Sequence, residues 1–293
     1  MSRPPGPGAP GARARPAPTP LAGPPLARGR TAEVYAWRDG EVVKLFYDWC
    51  PSHWPQHEAD VHRAVARTPL PIPRLLDVIE IDGRPGIVYE RADGPSMLSQ
   101  CSTNPWRILD AARQLAELHA EIHRQDGSPF HSLKETLAAS IGRAETLPSD
   151  LRERVLQQLD RLPDAGALCH FDFHPDQVLL TAHGPVIIDW TTARRGHPLA
   201  DVARTSILFR FSRVASAGPA LRAAVALWRG LFLRTYLAHY LEINPCAARQ
   251  QIATWMVPVA AGRLDERIEG ETEPMHAHPR QPDKQRQVDR EIK

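Results

Sequence analysis

Cysteine is scarce in this chain. Cys50, Cys101, Cys169 and Cys246 stand far apart, with no C-x-x-C spacing. That excludes a disulfide framework and a zinc finger and fits a reducing compartment. Long apolar runs are missing as well. No stretch approaches the ~20 residues of a membrane-spanning helix, and the first residues lack the apolar segment of a signal peptide. A cytoplasmic location without a membrane partner is the expectation. The third absence is an excess of one charge sign. Lys and Arg number 36 against 34 Asp and Glu, a formal net charge of +2. That is too little for nucleic acid or an anionic membrane to be the main partner.

What the chain has in plenty is concentrated at its ends. Residues 1–27 are almost entirely Pro, Ala, Gly and Arg. Such a segment cannot bury enough apolar surface to order itself, so a disordered tail is expected, with Arg3, Arg13 and Arg15 solvated. Residues 270–293 are polar and Pro-punctuated and are also expected to be disordered. The 293 residues still suffice for one large or two small domains with a core.

Between the tails the pattern begins as strands. Two β-prone runs flank Asp39-Gly40, and Leu75–Ile81 and Gly86–Glu90 flank Asp82-Gly83. Both read as hairpins. Gly29 and Thr31 precede the first run, where backbone amides and a hydroxyl can cover a phosphate. Lys44 sits inside an apolar strand, where an ammonium needs an anionic partner. Nucleotide phosphates are one destination for it, and solvent at a sheet edge is the other. Residues 54–67 read as a helix with Pro55 in its first turn. Glu58 on it is the candidate partner for Lys44, with Asp60 competing. Glu90 to Gly94 form a short polar link leading out of the second hairpin.

From Asn104 onward the period is helical. Ile108, Leu109, Ala112, Leu115, Leu118 and Ile122 recur at three- and four-residue spacing over 105–123. Further helices are expected at 133–145, 149–162, 198–213, 218–242 and 247–263. His119 and His123, four residues apart, read as packing histidines.

The most specific stretch is Cys169-His170-Phe171-Asp172-Phe173-His174-Pro175-Asp176-Gln177, followed by the apolar run ending at Asp189-Trp190. A base-like Asp two residues after a His, an amide five residues on and a second Asp after an apolar run is the layout of a phosphoryl-transfer site. Asp172 can accept or orient the proton of an attacking hydroxyl, and His170 is grouped with it. Gln177 and Asp189 offer the hard oxygens that Mg²⁺ prefers. The alternating trio His170, Asp172 and His174 is also a possible Zn²⁺ set on a strand. Asp201 opens a helix, where exposed amides favour a carboxylate, and its expected role is to hold the loop backbone. Arg194 and Arg195 face either phosphate or solvent. Asp265, Glu266, Glu269, Glu271 and Glu273 either attract an amine-bearing acceptor or form a solvated acidic end.

Taken together, His170-x-Asp172-x-His174-Pro175-x-Gln177-Val178-Leu179, Ile188-Asp189-Trp190 and Gly196-x-Pro198-x-x-Asp201-x-Ala203-Arg204 resemble the aminoglycoside phosphotransferase and choline kinase-like family over residues 28–265. Lys44 and Glu58 match its upstream ion pair by order and type. The resemblance implies an α+β, two-lobed protein-kinase-like fold. Residues 28–94 would form a nucleotide-binding lobe, with Gly29, Thr31, Lys44, Glu58 and Glu90 at the nucleotide, and 95–269 a mostly helical lobe. It also implies ATP or GTP as donor, Mg²⁺, a small hydroxylated acceptor, Asp172 as catalytic base and Asp189 as principal metal ligand. The chain departs from the family at Gln177, where Asn is usual. The longer side chain shifts the amide oxygen by roughly 1–1.5 Å, and Mg²⁺ tolerates poor geometry badly. A catalytically weak nucleotide-binding protein of the same fold is therefore the second reading.

Overall fold

The computed structural model describes residues 21, 23–211 and 218–266. The chain divides into two compact units, one holding residues up to Pro55 together with Leu75–Arg91, the other holding Gln56–Arg74 and everything from Ala92.

The first unit is an antiparallel sheet built from β1 (Ala27–Arg28), β2 (Ala32–Ala36), β3 (Glu41–Phe46), β4 (Leu75–Ile81) and β5 (Arg84–Glu90), in the order β1-β2-β3-β5-β4. Turn chemistry sets the register. Gly40 has φ +70°, and the Glu41 amide donates to the Arg38 carbonyl at 3.0 Å. Asp82 and Gly83 both have positive φ, 51° and 79°, the conformation a two-residue hairpin needs to match strand twist. Trp37, Val43, Leu45, Ile81 and Val88 form the core of this unit. Side chains alternate across the pleat, so Val43 and Leu45 point inward and Lys44 between them does not. Burying a side chain such as Val43 or Leu45 contributes about 1.5–3 kcal/mol.

The second unit begins within α1 (Trp54–Val65), whose Pro55 lies in the first turn. It continues with α2 (Met97–Thr103), α3 (Ile108–His123), α4 (Leu133–Arg143), α5 (Ser149–Arg161), α6 (Pro198–Phe211), α7 (Pro219–Ile243) and α8 (Arg249–Arg263). Ser96 and Ser132 cap α2 and α4 with their hydroxyls. Helix α3 packs on α7, and α8 packs on α4, α5 and α6. Two small ribbons lie between the helices in sequence: β6 (Ala167–Cys169) pairs with β9 (Arg194–Gly196), and β7 (Val178–Thr181) pairs with β8 (Gly184–Ile187). Gly196 is required where it stands, because a Cβ there would lie 2.6 Å from that of Leu133.

Sequence reasoning grouped residues 28–94, yet 56–74 belongs with the helical unit. The reason is packing: Val65 and Leu70 join its core, and the Pro71 carbonyl accepts from the Ile187 amide at 2.7 Å. The expected helices are present with ends shifted by a few residues, and residues 212–213 of one lie outside the described part. So do most of the N-terminal tail and all of 270–293. The region 105–107 is a 3₁₀ turn and not part of the α-helix. Helix α2 and strands β1, β6, β7 and β9 were not expected.

Candidate active site

The loop after β6 is held from below by one carboxylate. Asp201, in the first turn of α6, has no exposed surface. Its Oδ2 accepts from the His170 amide at 2.6 Å and its Oδ1 from the Phe171 amide at 2.9 Å. This clamp keeps Phe171 at φ +62°, a left-handed conformation that costs a bulky residue about 1–3 kcal/mol. His119 Nε2 and His123 Nε2 also face Asp201 Oδ2, at 3.2 and 3.4 Å. Each histidine is backed through Nδ1 by a tyrosine hydroxyl, Tyr236 at 2.5 Å and Tyr240 at 2.7 Å.

The protonation states reflect this burial. Burial works to raise the Asp201 pKa, but the charge and hydrogen bonds of His119 and His123 outweigh it and hold the carboxyl below its usual range. His123 is pushed down to about 4, first by burial and then by His119, against the pull of Asp201. Burial first, and the Asp201 charge second, push the Tyr240 phenol up, so it stays protonated and donates to His123. The α3 histidines are thus packed, as read from sequence, and also support the loop.

His170 is wholly buried. Its Nε2–H donates to the Ile188 carbonyl at 3.0 Å, and its Nδ1 accepts the Asp172 amide at 3.4 Å. Burial lowers its pKa, consistent with this neutral tautomer. Thr192 donates to the His170 carbonyl at 2.8 Å. His170 therefore braces the Asp172 loop against the strand leading to Asp189. With both ring nitrogens used this way, the trio His170, Asp172 and His174 does not form a zinc set. Among the described residues the group close enough to share an ion is His119, His123 and Asp201.

Asp172 is partly exposed, with His174 Nε2 at 3.9 Å and Arg204 Nη2 at 4.0 Å from its two oxygens. Arg204 is buried, lies over the Phe171 ring, and meets Glu266 at 2.5 Å. Arg263 also pairs with Glu266, at 3.1 Å, and Arg143 pairs with Asp265 at 2.7 Å. The described part of the acidic end is thus neutralised by arginines and not left to attract an amine. Glu269, Glu271 and Glu273 lie outside the described residues. Arg194 donates to Thr136 and the Ala193 carbonyl, and Arg195 is partly buried on β9.

A backbone bond ties Gln177 to the residue before Asp189. Gln177 ends a 3₁₀ turn, and its carbonyl accepts the Ile188 amide at 3.0 Å, which sets Asp189 beside it. The Gln177 amide nitrogen lies 3.4 Å from His174 Nε2. Asp189 is exposed and left-handed, φ 60° and ψ 63°. Buried Trp190 comes next, its ring 4.6 Å from that of His170. The Thr191 hydroxyl reaches Asp189 Oδ1 at 3.1 Å and Glu58 Oε2 at 2.9 Å. Sequence reasoning missed Thr191, for which no local signal exists, and quoted Arg204 without assigning it a role.

In the helical unit Glu58 is buried, while Asp60 is exposed and occupied by Gln56 and Arg63, each at 2.8 Å. In the sheet unit Lys44 lies on β3 opposite Val34 and Ile87. The Gly29 amide closes the β1–β2 turn onto the Ala32 carbonyl at 2.9 Å. The Thr31 carbonyl accepts the Tyr47 amide at 3.0 Å and the Cys50 thiol at 3.2 Å. Glu90 ends β5 and is exposed.

The model of a family described as "Phosphotransferase enzyme family" matches residues 22–240. No curated protein matches the chain by sequence. Several solved structures share its fold. A thermostable mutant of aminoglycoside phosphotransferase APH(4)-Ia, in ternary complex with AMP-PNP and hygromycin B, is 19% identical. It aligns over 94% of this chain and 93% of that one with a TM-score of 0.61. Aminoglycoside-3'-phosphotransferase of type VIII is 18% identical over 83% and 92%, TM-score 0.58. ADP-bound aminoglycoside phosphotransferase APH(2'')-Ib is 13% identical over 89% and 93%, TM-score 0.56. At these identities the likeness is one of fold.

Proposed function

The chain belongs to the phosphotransferase enzyme family, and from that premise we propose that it moves the γ-phosphoryl group of ATP or GTP to a hydroxyl of a small molecule. The acceptor class is aminoglycoside-like, amino sugar or amino alcohol. The observation that carries this is the joint presentation of Asp172, Gln177 and Asp189 by two segments tied through His170 and Ile188. Asp172 takes the proton of the attacking hydroxyl, and that oxygen bonds to the phosphorus as the nucleoside diphosphate leaves. His170 positions this loop and does not touch the acceptor. The fold relatives with AMP-PNP and ADP bound support a nucleotide donor.

Asp189 and Gln177 suit Mg²⁺ by donor chemistry, a carboxylate and an amide carbonyl. A bound Mg²⁺ would neutralise phosphate charge, the larger part of catalysis in this reaction class. Gly29, Thr31, Lys44, Glu58 and Glu90 are assigned to the nucleotide, within a binding region of residues 28–94, and 95–269 to catalysis and the acceptor. The cytoplasm, where the four cysteines stay free, is the proposed location. Among the described residues no helix is long and apolar enough to cross a membrane.

The test needs no knowledge of the acceptor. ATP or GTP with Mg²⁺ should raise the melting temperature of the wild type by mass action, and Asp189→Ala should abolish that shift. Asp172→Asn should keep the shift but lower phosphoryl transfer by about 10²–10⁴-fold, read first as nucleotide hydrolysis. No shift with either nucleotide would overturn the proposal. A shift without any transfer, in a screen of hydroxylated amines, would favour the regulatory reading that Gln177 motivates.

A further inference from the structure

Thr191 and Thr192 are adjacent, but their hydroxyls serve different halves of the site. Thr192 donates to the His170 carbonyl on the Asp172 side. Thr191 reaches Asp189 Oδ1 at 3.1 Å and Glu58 Oε2 at 2.9 Å. Both sit on the short turn Trp190–Thr192, pinned by the buried Trp190 ring and its Nε1–H bond to the Ile187 carbonyl. Threonine is stiff at χ1 because it is branched at Cβ. The hydroxyl is therefore a fixed point between two carboxylates, one exposed on a left-handed backbone, the other buried on α1.

We propose that Thr191 is a positioning residue for the cation site, orienting the Asp189 carboxylate and tying it to Glu58 of α1. This rests on the phosphotransferase reading of Asp189. One hydroxyl carries one proton, and here two anionic acceptors share it. The proton is shared between Glu58 and Asp189. When the Asp189 charge is neutralised, the proton falls to Glu58 alone. Cation affinity and the hold on α1 are linked through that single proton. Thr191 acts through the orientation of the Asp189 carboxylate.

The experiment uses the full chain, ADP at fixed concentration and a MgCl₂ titration, with the thermal shift as readout. Thr191→Val keeps the shape and removes the hydroxyl. It should raise the Mg²⁺ concentration for half-maximal shift by about tenfold, the scale of one hydrogen bond to a charged group. Thr191→Ser restores the hydroxyl and should return the midpoint to within about twofold of the wild type, which a purely packing role would not do. An unchanged midpoint in Thr191→Val, or an equal displacement in Thr191→Ser, overturns the proposal. Should Thr191→Val lose its cooperative melt without ligand, Thr191→Ala carries the same expectation. A wild type with no Mg²⁺-dependent shift overturns the phosphotransferase reading itself, which separates the two failures.

Discussion

Two aspartates follow the proposed catalytic loop in this molecule, and their surroundings are opposite. Asp201 is wholly buried, with two backbone amides and two histidines on its carboxylate and a tyrosine behind each histidine. Asp189 is exposed, and the Thr191 hydroxyl that reaches it is shared with Glu58. The difference reflects what each must do. A group that holds a base in place works best when nothing about it can move, since preorganisation is what a positioned carboxylate contributes. A group that takes up and releases a cation with each nucleotide needs solvent access. In this site rigidity surrounds the proposed base and openness surrounds the proposed metal ligand.

The sharpest way to break that comparison is to remove each carboxylate and read stability. Asp201→Ala strands the His170 and Phe171 amides and two buried histidines. Loss of one partner in such a buried network costs about 3–5 kcal/mol, so a fall of that size is expected in urea denaturation, with phosphoryl transfer lost alongside. Asp189→Ala, at an exposed but left-handed position, should lose only about 1 kcal/mol, because alanine tolerates that backbone less well than aspartate, while losing the Mg²⁺-dependent shift. Equal stability losses in the two variants would mean that the contrast in burial does not govern the site.

How much of this is readable from sequence divides along the same line. Asp172, Gln177, Asp189 and Asp201 are readable because they stand in one spaced pattern within a short stretch of chain. The Asp82-Gly83 hairpin is readable because its turn is written in two adjacent residues. The partners of Asp201 are not. Tyr236 and Tyr240 each meet a histidine 117 positions away, and pairing at that distance leaves no local trace. The acidic end shows its charge but not its arginines, since Arg143 and Arg204 arrive from α4 and α6. Strands β6 and β9 are three residues each, too short for a period to show. Helix α1 beyond Pro55 and the segment after it look like part of the sheet unit because they lie between its strands in sequence, and packing decides otherwise.

Acid should sharpen the comparison at smaller cost. His123 stays neutral in the fold because burial pushes its pKa down to about 4, whereas in the unfolded chain it titrates near 6.5. The unfolded state therefore binds more protons between these values, and stability falls as pH drops through that window. At 1.36 kcal/mol per unit, about 2 kcal/mol should be lost between pH 7 and pH 5. His123→Asn should flatten that slope if His123 is its source. An unchanged slope in the variant would assign the acid sensitivity elsewhere, His170 being the next buried histidine with a lowered pKa.

The mildest probe is Tyr240→Phe, which deletes one hydroxyl behind His123 and leaves the ring in place. The hydroxyl donates to His123 Nδ1 at 2.7 Å, so its loss leaves that nitrogen without its donor. One such bond is worth about 1 kcal/mol, and the fold should tolerate that. If the tyrosine does no more than fill space, the variant will match the wild type in both melting temperature and pH slope. If it fixes the tautomer with hydrogen on Nε2, the freed Nδ1 can take a proton more readily and the acid slope will change along with the stability. The pair of readouts separates packing from positioning at a residue far from the reacting atoms, and so tests whether the rigidity around the base extends beyond Asp201 to the helix behind it.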